Sequence, residues 1–191
     1  MDHVRRKFLA GSIGAAFASQ AFGVTPDIMT TAKGLTNGVI PMGAVFVKRG
    51  VHDAIVQGPE AAIEFFHGYT YSGHPLACAA GLAVLDIYAG EDLFARVAAI
   101  APLWEAALHG LQTQPHVIDI RNVGLMGAIE LSPRDGAPGA RGYEVLVKAL
   151  QAGLLVRATG DTIALSPPLI ISEAQICKLT DILGGVLAGI D

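Results

Sequence analysis

Thr30-Thr31-Ala32-Lys33-Gly34-Leu35-Thr36-Asn37-Gly38-Val39 places one lysine where a strand-like run, Ile28 to Ala32, gives way to a loop with two glycines. A lysine held at a strand end and partly desolvated loses some of its positive charge, because burial disfavours the ammonium form. The neutral amine left at neutral pH is the nucleophile that forms imines with carbonyl cofactors. The same residue also reads as a solvated strand-end charge, the usual state of lysine. The rest of the chain decides between the two.

Working outward, strand-like and helix-like segments alternate from Phe17 onward, the pattern of an α/β protein. Gly43 to Lys48 reads as a second, buried strand bounded by Pro41 and Gly50. Val51 to Gln57 suits a short helix. His67-Gly68-Tyr69-Thr70-Tyr71-Ser72-Gly73-His74-Pro75 is a polar, aromatic loop leading into Leu76 to Tyr88. That segment is apolar on every side, which predicts a helix buried in a core. Pro75 suits its first turn, where the missing N–H costs nothing.

An amphipathic helix is expected over Asp92 to Leu111, with Leu93, Val97, Ile100, Trp104, Leu108 and Leu111 on one stripe. Pro102 should kink or break it. Beyond Pro115, Val117 to Arg121 and Leu125 to Leu131 read as strands joined by Asn122-Val123-Gly124. A Gly/Pro-rich loop follows over Pro133 to Gly139, and then a helix over Ala140 to Ala152. Strands over Leu154 to Arg157 and Thr162 to Leu165 precede a last helix, which Ser172-Glu173-Ala174-Gln175 opens with a capping box. A domain boundary is expected near residue 112.

The 191 residues are 52% hydrophobic and only 16% charged, an excess that predicts surface buried against other protein. A net charge of −4, with no Lys/Arg cluster beyond the first residues, argues against a nucleic-acid partner. Cys78 and Cys177 sit far apart in apolar surroundings and read as small core residues. Without CxxC or HxxxH spacing they imply neither a disulfide framework nor a metal. The longest apolar run, Leu76 to Leu85, is about half of what a membrane helix needs. Arg5-Arg6-Lys7-Phe8-Leu9 followed by Ala10 to Ala18 has the layout of a twin-arginine export signal ending in Ala16-x-Ala18. A cytoplasmic chain with a basic start is the other reading, and it is the one adopted.

Three pieces now stand in order. They are the Lys33 strand end, the Gly68 to Pro75 loop before a helix, and Gly153-Leu154-Leu155-Val156-Arg157 followed by Gly160-Asp161-Thr162-Ile163-Ala164-Leu165-Ser166-Pro167-Pro168-Leu169. Together with Phe22-Gly23-Val24-Thr25-Pro26-Asp27, they resemble the class III transaminases, pyridoxal 5'-phosphate enzymes of fold type I, and most of all their ω-amino acid (β-alanine):pyruvate branch. The resemblance runs from Gly14 to the C-terminus.

The resemblance implies that Lys33 is the Schiff-base lysine, which later shuttles a proton between substrate and cofactor. It makes Thr70 the threonine that contacts the cofactor phosphate of a neighbouring subunit; read alone, Thr70 is better taken as a threonine capping its own turn. A hydroxyl and N–H groups near a helix start also suit an anion on physical grounds. It makes Arg157 the partner of the substrate carboxylate, which a guanidinium can hold by two parallel hydrogen bonds; read alone, Arg157 is a solvated strand-end charge.

The implied substrates are a small-molecule amino donor and a keto acid. The implied assembly is a homo-oligomer or a pairing with a full-length transaminase subunit, with no nucleic acid and no membrane. By the same resemblance, 1–16 is an atypical N-terminus, 17–112 the remainder of the cofactor-binding large domain with a long linking helix, and 113–191 the small α+β domain. The larger, N-terminal part of a typical member has no counterpart here. That part carries the phosphate-cup turn, the stacking aromatic ring and the aspartate that protonates the pyridine nitrogen. Asp2-His3-Val4 only faintly resembles the aspartate strand. The expectation is therefore a transaminase polypeptide that is incomplete alone. The alternatives are a catalytically inactive remnant or dimerisation partner, and an exported protein.

Overall fold

The structure is a computed structural model, in which residues 11–59, 61 and 67–191 are described. Asp2 and the Arg5-Arg6 start lie outside the described residues. The chain divides into two compact units. One runs from Ala15 to Asp92; the other joins Ser12–Gly14 to Leu93–Asp191. The division thus falls at Asp92/Leu93 and not near residue 112, because the long helix packs its stripe into the C-terminal core.

The first unit contains α1 (Ala18–Ala21), β1 (Ile28–Ala32), β2 (Gly43–Val47), α2 (Arg49–Ile55) and α3 (Pro75–Gly90). β1 and β2 form a two-stranded antiparallel ladder, in register from Ile28↔Val47 to Ala32↔Gly43. The Asp27–Lys48 ion pair at 2.8 Å closes its open end, and the Lys48 N–H donates to the Asp27 carbonyl. The hydrogen bond from Lys48, with its charge, holds the Asp27 carboxyl below its usual value.

Two expectations fail in this unit. β2 is not buried: Val45, Phe46 and Val47 are exposed. α3 starts at Pro75 as expected, yet it buries only Ala77, Gly81 and Val84, while Leu76 and Leu82 are each 64% exposed. An apolar circumference measures how much surface a helix could bury, and within this chain few elements reach it.

The second unit contains α4 (Leu93–His109), β3 (Val117–Val123), β4 (Met126–Leu131), α5 (Ala140–Gln151), β5 (Arg157–Thr159), β6 (Thr162–Leu165) and α6 (Glu173–Ala188). The strands form an antiparallel sheet in the order β3-β4-β6-β5. Burial alternates along β4 and β6, so one face, carrying Ile129, Leu131, Ile163 and Leu165, meets the core. Trp104 and Leu108 of α4, Val145 of α5 and Ile176, Leu183 and Leu187 of α6 complete it. Gly127 on β4 allows the approach of α4, since a Cβ there would come within 2.5 Å of a Leu108 methyl and 3.3 Å of the Trp104 ring.

The expected stripe of α4 is the buried one, and the helix continues through Pro102 without a break. The β3–β4 turn is tighter than expected: Val123 pairs with Met126, leaving Gly124 (φ +56) and Leu125 as the two turn residues. β5 begins at Arg157 instead of ending there. The Ser172 capping box is formed, with the Gln175 N–H donating to the Ser172 hydroxyl at 3.3 Å and the Ser172 N–H to Gln175 Oε1 at 2.9 Å. The cysteines are not core residues: Cys78 is half-buried and Cys177 exposed, both as free thiols. Among the described residues no helix is long and apolar enough to cross a membrane.

Candidate functional site

Lys33 immediately follows β1. Ala32 is still extended (φ −162°, ψ −166°), and Lys33 then turns to φ +57° and opens the 3-10 turn Lys33–Leu35. A non-glycine residue in the left-handed region costs about 1–2 kcal/mol, so surrounding contacts must hold it there. Several do. The Thr36 N–H donates to the Lys33 carbonyl at 3.3 Å. Thr36 is 1% exposed, and its hydroxyl donates to the Ile40 carbonyl at 2.6 Å, closing the loop behind the lysine. From α3, the Tyr88 hydroxyl donates to the Gly34 carbonyl at 2.8 Å. Lys33 is exposed in this chain, where partial desolvation is expected.

Thr70 lies in the turn before α3, where the Ser72 N–H donates to the Tyr69 carbonyl at 3.0 Å. It is exposed and lines a cleft of about 600 Å³ with Gly43, Gly68, Ser72, Gly73 and His74. α3 begins at the back of this loop. His74 is its N-cap without a side-chain cap, and Pro75 fills its first turn. The early N–H groups of such a helix lack internal partners, and the helix dipole adds positive charge, so an anion is favoured there. Gly43, one wall of the cleft, is the register partner of Ala32, the residue before Lys33. The hairpin end that precedes Lys33 therefore forms one wall of the cleft that holds Thr70.

Arg157 belongs to the second unit. It opens the edge strand β5, pairs with Ala164, and is exposed, with no carboxylate paired to it among the described residues. It lines an apolar groove of about 1020 Å³ with Leu154, Ser166, Pro167, Ile170 and Lys178. The β5–β6 turn beyond it is braced by Asp161, whose carboxylate accepts the N–H groups of Gly139 (2.6 Å) and Gly142 (3.0 Å). Burial raises this carboxyl's pKa, but the N–H groups of Gly139, Gly142 and Arg141 and the charge of Arg141 outweigh it. Its pKa lies below the ordinary 3.8.

The aminotransferase class-III family matches residues 8–187 of this sequence. The chain belongs to the class III aminotransferases. It is 52% identical over 181 residues to the omega-aminotransferase of Caulobacter vibrioides, covering 95% of this chain and 41% of that protein. It is 48% identical over 182 residues to the beta-alanine-pyruvate aminotransferase of Pseudomonas aeruginosa, with coverage of 94% and 41%. The solved structure of adenosylmethionine-8-amino-7-oxononanoate aminotransferase from Methanocaldococcus jannaschii superposes with a TM-score of 0.85 at 31% identity, over 95% of this chain and 44% of that one. The fold is that of the pyridoxal-phosphate-dependent aminotransferases, and this chain spans about two-fifths of the relatives' length.

Class III aminotransferases depend on pyridoxal 5'-phosphate, and the residues present suit part of such a group. An amine stands at one end of the hairpin, and hydroxyls beside an uncapped helix start offer a seat for a phosphate dianion. Tyr88 is the residue that sequence reading missed. Nothing in its neighbourhood marks it as more than a helix end, and its partner lies 54 residues away.

Proposed function

We propose that this class III aminotransferase chain carries the lysine side of a transaminase site. The reaction moves an amino group from an ω-amino acid or amine to pyruvate or a related keto acid. The observation that carries the reading is Lys33, turned left-handed at the end of β1 beside a hydroxyl-lined cleft, in a chain of this family.

Lys33 Nζ would hold the cofactor through its carbonyl carbon, with water leaving, and would carry the proton taken from the substrate carbon. Bound pyridoxal phosphate supplies the electron sink for negative charge at that carbon. Thr70 would hold the phosphate of a neighbouring subunit's cofactor through its hydroxyl. Arg157 orients the substrate through its carboxylate, and the apolar groove beside it takes the carbon chain. The working assembly is a homo-oligomer or a pairing with a full-length transaminase subunit, located in the cytoplasm. A mature N-terminus near Ser19, found by mass spectrometry, would instead mean export.

A second reading, a catalytically inactive remnant or dimerisation partner, is favoured by the exposed apolar faces of α3 and β2. Amino transfer to pyruvate, followed with the purified chain alone and after mixing with a full-length class III subunit, separates the two. Turnover that is lost in Lys33→Ala supports the first reading. Inactivity in both settings supports the second.

A further inference from the structure

We propose that Tyr88 is a positioning residue for Lys33: its hydroxyl, donated to the Gly34 carbonyl at 2.8 Å, fixes the turn that aims the lysine. The proposal rests on the reading of Lys33 as the cofactor lysine.

Lys33 sits at φ +57°, where an L-residue does not rest unaided. Its own side chain cannot fix that conformation, because a catalytic amine has to change partners. Backbone groups around it carry part of the constraint, among them the carbonyl of the following residue. Tyr88 grips it from α3. The same face of α3 meets the turn again at buried Gly81, seven residues earlier and so two turns back along the helix. A Cβ there would lie 3.7 Å from the Leu35 carbonyl oxygen and 3.6 Å from Met42 Sδ. α3 thus meets the Lys33–Leu35 turn at a packed point, Gly81, and at a hydrogen-bonded point, Tyr88.

The packed point sets the distance between helix and turn, and the hydrogen bond holds the Gly34–Leu35 peptide within the 3-10 turn that Lys33 opens. Burial raises the phenol above its usual 10.0, so it stays a neutral donor throughout the neutral range. The helix that begins at the Thr70 loop would in this way set the phosphate seat with its N-terminus and the lysine's aim with its C-terminal half. One rigid element would hold both.

Tyr88→Phe keeps the ring and removes only the donor. Ala83→Gly, on the exposed opposite face of the same helix, serves as the comparison for ordinary destabilisation. In the full chain, amide hydrogen exchange over Gly34 to Asn37 and the concentration of pyridoxal phosphate that saturates its Lys33-dependent absorption band are both measured. The expected result is exchange about three- to tenfold faster and saturation at about three- to tenfold higher concentration in Tyr88→Phe, the worth of one hydrogen bond. Ala83→Gly leaves both near wild type. Unchanged exchange and saturation in Tyr88→Phe would overturn the proposal, as would equal changes in Ala83→Gly. If wild type shows no Lys33-dependent band while Tyr88→Phe still accelerates exchange, the reading of Lys33 falls and the positioning role falls with it, a result distinct from failure of the tether.

Discussion

Lys33 owes its interest to a backbone angle as much as to its amine. Sequence reading finds it from type and context, a lysine after a strand and before glycines. It does not find the left-handed turn, or the contacts from residues 36 and 88 that hold it. It also predicts a desolvated lysine, which is not what this chain shows, because desolvation depends on what covers a residue and not on its neighbours in sequence. Asp161 makes the same point from the other side. It passes for a turn aspartate in sequence, yet its carboxylate ties the start of α5 to the β5–β6 turn beyond Arg157.

Asp161→Asn is expected to cost about 1.5–3 kcal/mol, the range for hydrogen bonds to an ionised acceptor, measured by urea denaturation. The lowered pKa sets the pH dependence. The folded chain binds fewer protons than the unfolded chain between the lowered value and 3.8, so the contribution is complete above 3.8. It fades as pH falls through the folded value, and the stability difference between wild type and Asp161→Asn should shrink in the same range. Under the proposed substrate role, Arg157→Ala should weaken binding of a carboxylate-bearing substrate by about ten- to a hundredfold, the worth of a charge-assisted pair, with little effect on an amine that lacks the carboxylate. Comparing KM for the two substrates checks this.

At the scale of elements, periodic segments are legible and apolar ones are not. α4 declares itself by a stripe at three- and four-residue spacing, and that stripe is buried. α6 declares itself by its capping box, and both hydrogen bonds of the box are present. Ser172→Ala should therefore cost about 1 kcal/mol, read as a shift of the urea midpoint at unchanged slope. β2 and α3 are found in place but misjudged in burial, since hydrophobic content cannot say whether a covering surface belongs to the same chain. β5 is misplaced by three residues because Leu154, Leu155 and Val156 have strand-like character without strand pairing, and the ladder to β6 begins only at Arg157. The boundary near residue 112 fails for a related reason. A helix that looks like a linker in sequence donates Val97, Trp104 and Leu108 to the core of the C-terminal unit.

For the whole molecule, an aminotransferase chain spanning about two-fifths of its relatives' length exposes Leu76, Leu82, Leu85 and Ile87 of α3 and Val45 to Val47 of β2. Apolar surface of this extent predicts association, and light scattering of the purified chain should report species larger than a monomer, with enhanced fluorescence of a hydrophobic dye. A dye-silent monomer would contradict that expectation. Lys33 is proposed as the lysine that takes the cofactor. The direct test is to add pyridoxal phosphate to the full chain, reduce with borohydride, and map the modified lysine by peptide mass spectrometry. Pyridoxyl modification is expected to concentrate at Lys33 and to be absent from Lys33→Ala. Modification spread over Lys48, Lys148 and Lys178 and unchanged in Lys33→Ala would contradict that role.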